Sequence, residues 1–79
     1  MDEVTKEVVE IFKKTFPELK DAELDLDKNQ ESFENWDSFA HMELVGGVEE
    51  KFGITLEISE VVDLDTPKKF VEIIEKKKA

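Results

Sequence analysis

The chain has 79 residues, of which 21 are acidic and 11 basic, for a net charge of −10, and it contains no cysteine. That length supports one domain over residues 1–79 with a thin core, and the missing cysteine excludes disulfides and thiolate metal sites, so any thiol chemistry must arrive on an attached group. A surface this acidic repels nucleic-acid phosphates and anionic lipid headgroups and attracts basic protein patches at long range.

The opening residues Met1-Asp2-Glu3-Val4 lack the basic stretch and apolar core of a secretory signal, which points to a cytoplasmic protein. Apolar runs reach only two or three residues, so no membrane span is expected. Residues 2–16 read as a helix, with Val4, Val8, Ile11, Phe12 and Phe16 on one stripe and Lys6, Glu10, Lys13 and Lys14 facing out. Pro17 ends it, because proline donates no backbone hydrogen bond and disfavours helix at the residue before it.

About twenty residues then pass before the next strong helix, longer than ordinary connections in compact domains. Leu19, Leu24, Leu26, Phe33 and Trp36 are spaced too irregularly for an element, and they predict a loop pinned to the core. One short helical turn is expected near Asp21–Leu24. Residues 38–52 form the second helix, with Asp37 as N-cap and Gly53 as the left-handed C-cap. Ser59 is the expected cap of a short turn through Glu60–Asp63. Thr66-Pro67 starts the last helix, where Phe70, Val71, Ile73 and Ile74 form an apolar face and Lys76, Lys77 and Lys78 suit the negative end of the dipole. The expected fold class is all-α: a four-helix bundle of three main helices plus a short third one, with a long loop between helices 1 and 2.

The second helix carries the information about function. On a wheel of about 100° per residue, Leu44, Val45, Val48 and Phe52 face the core, with His41 among them and Met42 at the edge. Phe39, Glu43, Gly46 and Glu50 lie opposite, with Glu49 on a flank. Two readings fit this outer face. It is a contact surface in which acids steer a basic partner and the ring anchors it, or a solvated face with one exposed apolar residue.

Gly46-Gly47 costs about 0.5–1 kcal/mol per glycine relative to alanine, which fits either close approach by a partner at Gly46 or tight helix packing. Ser38 is also open to two readings. A serine at a helix start is ordinarily a cap, but the same position, with free N–H groups and the positive dipole end, favours a phosphate.

The segment Trp36-Asp37-Ser38-Phe39-Ala40-His41-Met42-Glu43-Leu44-Val45, with Glu49-Glu50-Lys51-Phe52 closing the helix, resembles the phosphopantetheine attachment region of acyl carrier proteins. Phe39 stands where that family has leucine, and Gly46 where many members have a larger apolar residue. The resemblance implies that Ser38 accepts a 4′-phosphopantetheine arm from coenzyme A, through a phosphopantetheinyl transferase using Mg²⁺, with Asp37 helping to present the site. It implies a partner-docking face of Phe39, Glu43, Gly46, Glu49 and Glu50, and buried aliphatics that shelter an acyl chain in some members. The chain would then be a non-catalytic, monomeric carrier of thioester-bound acyl groups in fatty acid, lipid or polyketide-like biosynthesis. Its partners would be enzymes with basic docking patches. The Trp-Asp-Ser lead-in is similar to stand-alone carriers of dedicated pathways, which keeps an aminoacyl or peptidyl (D-alanyl-type) carrier as an alternative.

An unmodified acidic interaction bundle is the rival from another class. A calcium loop fails on its own motif. Asp25-x-Asp27-x-Asn29 begins like an EF-hand, but Gln30 holds the sixth position and Trp36 the twelfth. An enzyme is disfavoured, since the only histidine, His41, falls toward the core and Ser38 has no orienting triad. No catalytic and no metal-ligating residue is expected.

Overall fold

The computed structural model describes residues 3–78, and among these it is all helical, as the sequence predicts. Four α-helices span Glu3–Thr15 (α1), Ser38–Phe52 (α2), Ile58–Val62 (α3) and Pro67–Lys78 (α4). The expected first residue of the first helix, Asp2, lies outside the described residues. The stripe on α1 holds: Val8 and Phe12 are fully buried and Phe16 nearly so, while Val4 and Ile11 pack against the edge. Thr5 is buried as well, which its hydroxyl disguises in a hydrophobic pattern. α1 packs against both α4 and α2.

The core is aromatic at the end nearest the long loop. Phe12 meets Trp36 edge-on at 5.3 Å and Phe70 edge-on at 5.4 Å, and Phe33 meets Trp36 at 5.1 Å. Edge-to-face geometry sets the positive rim of one ring against the negative face of another and adds about 0.5–1.5 kcal/mol per pair beyond burial. Phe33 and Trp36 are buried, as the anchor reading requires, while Leu19 and Leu24 pack at the margin.

The loop does not make its expected turn near Asp21–Leu24. Its helical turns are 3-10 turns at Pro17–Leu19 and Gln30–Ser32. Pro17 presets the first, and Asn29 caps the second by accepting the Glu31 N–H at 3.0 Å. Two backbone bonds stitch the loop to the start of α4: Gln30 N–H to the carbonyl of Asp65, just ahead of the helix, at 2.7 Å, and Lys68 N–H in its first turn to the Leu26 carbonyl at 2.9 Å. The second of these satisfies a donor that the first turn of α4 leaves over. The EF-hand-like Asp25 makes a local turn instead, accepting the Asp27 N–H at 3.0 Å.

α2 has the expected bounds, and Gly53 closes it at φ 64°, a conformation that glycine adopts without a Cβ clash. Leu44, Val45 and Val48 are buried as the wheel requires, but Phe52 is only half-buried and Met42 is 58% exposed. The short α3 starts two residues earlier than expected, and Glu57, not Ser59, occupies its cap position. The Glu60 carboxylate, three residues along, accepts the Glu57 N–H at 2.9 Å, the reach-back half of a capping box. At the start of α4, Thr66 Oγ1 accepts the Lys69 N–H at 3.2 Å.

Glu60 Oε1 also pairs with Lys77 Nζ at 2.9 Å, tying α3 to α4. The Glu57 amide first, and then Lys77, hold the Glu60 carboxyl below its ordinary value. An acid depressed in the folded state contributes stability that is complete above its unfolded pKa and lost as pH falls through the lowered one. Glu60→Gln is therefore expected to lower the melting temperature at neutral pH and to flatten the acid limb below about pH 4.3. Melting curves taken from neutral pH into acid check both.

The two mid-helix glycines differ. A Cβ on Gly46 would meet nothing within 4 Å, whereas one on Gly47 would lie 3.3 Å from Ile11 Cγ2 on α1. Tight packing thus accounts for Gly47 and not for Gly46. Urea denaturation is expected to show Gly46→Ala stabilising the fold by about 0.5–1 kcal/mol and Gly47→Ala gaining less.

Candidate functional site

The end of the long loop and the first turn of α2 hold the residues that the sequence singles out. Trp36 is buried, and the exposed Asp37 follows with an extended backbone. Asp37 Oδ1 accepts the Ala40 N–H at 2.9 Å, its carbonyl accepts the His41 N–H at 2.9 Å, and its own N–H goes to the Asn35 carbonyl at 3.1 Å. Of the donors at the helix start, this leaves those of Ser38 and Phe39 for an acceptor from outside the described residues. Ser38 is the first residue of α2 and is exposed. Capping falls to Asp37, so the serine hydroxyl stands at the positive end of the helix dipole without serving as the cap.

Phe39, Glu43, Gly46 and Glu50 share the exposed face, with Phe39 75% exposed. Glu49 differs from them: it is half-buried, and its Oε2 accepts the Leu56 N–H at 2.9 Å, fastening the segment after α2. A groove between α1 and α2 borders this face, lined by Glu43, Gly47, Glu50 and Ile11, and Lys51 bridges it to Glu7 at 3.0 Å.

The sequence reading missed three exposed apolar residues. Met42 on α2, and Ile58 and Val62 on α3, are 58%, 84% and 71% exposed. Ile58 and Val62 sit four apart on one face of α3, a helical spacing that was the available signal.

α3 is joined to α2 through His41. The imidazole is half-buried; its Nδ1 accepts the Trp36 Nε1–H at 2.9 Å, and its Nε2 lies 2.8 Å from the Val61 carbonyl. Indole donates only and a carbonyl accepts only, so the ring is the neutral tautomer with its proton on Nε2. Both nitrogens are engaged in structural hydrogen bonds. Among the described residues, no cluster of three or more His, Cys, Asp or Glu could hold a metal ion, and no helix is long and apolar enough to cross a membrane.

A covalent phosphodiester needs an accessible hydroxyl, room around it, and donors for its oxygens. The exposed Ser38 and the two amides beside it meet those needs. In comparisons with known proteins, the family model described as the phosphopantetheine attachment site matches residues 6–74. No match is found among curated proteins or among solved structures. Carrier domains of this kind are modified by phosphopantetheinyl transferases, work with acyl-handling enzymes and are generally not catalytic themselves. The chain belongs to the phosphopantetheine attachment family, the acyl-carrier type of protein that bears a covalently bound 4′-phosphopantetheine.

Proposed function

We propose that Ser38 is the attachment residue and that residues 1–79 act as one cytoplasmic carrier domain, presenting acyl groups to partner enzymes in fatty acid, lipid or polyketide-like biosynthesis. The observation that carries this reading is the position of Ser38, an exposed serine at the first residue of α2 whose capping duty Asp37 has taken over. The arm's terminal thiol supplies the thioester linkage that the cysteine-free chain lacks. Asp37 holds the helix start in place, and the amides of Ser38 and Phe39 are donors for the phosphate oxygens.

Phe39, Glu43, Gly46 and Glu50 form the docking face. The carboxylates steer a basic partner into place and Phe39 supplies the apolar anchor. The bare backbone at Gly46, which no packing inside the chain requires, allows close approach. Met42, Ile58 and Val62 extend the exposed apolar surface onto α3. Contacts of this kind release readily and weaken with salt, which suits a shuttle that visits several enzymes in turn. Glu49 contributes less to docking, because its carboxylate is committed to Leu56.

Incubating the protein with coenzyme A, Mg²⁺ and a broad-specificity phosphopantetheinyl transferase is expected to add one phosphopantetheine, seen by intact-protein mass spectrometry. Ser38→Ala is expected to add none. Phe39→Ala is expected to be modified several-fold more slowly while its stability stays within about 0.5 kcal/mol, as for a surface substitution. A folded protein that gains no mass with several transferases would turn the assignment to an unmodified interaction bundle.

A further inference from the structure

We propose that the Trp36–His41–Val61 bridge is a latch that keeps the space between α2 and α3 shut, so that this carrier holds short or polar acyl groups outside its bundle. The proposal rests on the reading of Ser38 as the attachment residue and specifies the cargo of that same site.

A group tethered at Ser38 has two places to lie: on the surface, or inward between α2 and α3. His41 stands one turn along α2 from Ser38, where α3 meets the helix. Its ring bonds the loop on one side, through the Trp36 indole at 2.9 Å, and α3 on the other, through the Val61 carbonyl at 2.8 Å. It also stacks on Trp36 at 5.9 Å and meets Phe70 of α4 at 6.0 Å. One imidazole therefore joins the loop, α2, α3 and α4 at the Ser38 end of the bundle.

Behind the latch lies the buried core. Phe12, Leu44, Val48, Phe70 and Ile74 are fully buried, and Trp36, at 5% exposure, touches the rings of Phe12, Phe33 and Phe70. The buried aliphatics of α2 thus pack against their neighbours. An alkyl chain entering here would displace a packed ring and part the indole N–H from its acceptor, and a buried donor without a partner is strongly disfavoured. Short or polar acyl groups gain nothing from such entry, and Met42, Ile58 and Val62 give the arm an apolar ledge outside.

The test loads the protein at Ser38 from acetyl-, octanoyl- or myristoyl-coenzyme A with the transferase, and follows Tm together with the indole N–H resonance. Trp36 is the only tryptophan, so that resonance is unambiguous. The expected result is the same Tm and the same indole position for all three loads. In Trp36→Phe, which retains a ring but loses the donor, Tm is expected to rise with chain length; His41→Leu, which breaks both bonds, is expected to do the same. A wild-type Tm that climbs with chain length while the indole resonance moves overturns the latch and leaves the carrier reading intact. Variants as indifferent to chain length as the wild type also overturn it. Absence of any mass gain on loading the folded protein overturns both readings.

Discussion

The seating of one tryptophan holds much of this small bundle together. Trp36 belongs to a long loop with little regular structure, yet its ring sits among Phe12 of α1, Phe33 of the loop and Phe70 of α4. Burying an indole is favourable only when its N–H finds an acceptor, and His41 provides one. That bond fixes the imidazole tautomer, which aims the other nitrogen at α3. The loop, the second helix and the third helix are thereby placed by one chain of donors and acceptors. A thin core without disulfides has few other means of holding a five-residue helix.

The same arrangement fixes where chemistry can happen. Because Trp36 is buried and Asp37 caps α2, the chain leaves the core and starts a helix within two residues, and Ser38 is carried to the surface at the dipole's positive end. α2 then serves two purposes along its length. Its inner face, Leu44, Val45 and Val48, is core, and its outer face, Phe39, Glu43, Gly46 and Glu50, meets solvent. On the proposal that Ser38 is the attachment residue, the inner face holds that point in place and the outer face leaves the surface around it open to partners.

Much of this was legible in the residues alone. The bounds of α2 followed from an acidic N-cap and a glycine just past the last periodic residue, and α4 was marked by Thr66-Pro67. Phe39, Glu43, Gly46 and Glu50 fall on the exposed side because a wheel needs only the helix period. Glu49 was drawn as a flank of the docking face, and its bond to the Leu56 amide was invisible, because the wheel says nothing of where the chain goes after Gly53. The α3 cap went to Ser59 on residue preference, while the fold used the reach of Glu60 back to Glu57. Met42 lies at the core edge on the wheel, yet the fold leaves it 58% exposed.

By itself the sequence determined the helical class, the four helices, the caps of α2 and α4, the acidic surface and the serine at a helix start. These are set by a residue and its neighbours within a turn: side-chain period, capping oxygens, a positive φ, and summed charge. The tertiary structure alone decided how the long loop lies, where its 3-10 turns fall, and that Trp36 pairs with His41. Those features depend on acceptors that only packing brings near, such as the Asp65 carbonyl for Gln30 and the Val61 carbonyl for His41. A buried donor takes whichever acceptor the fold places within about 3 Å, and local sequence carries no record of that choice.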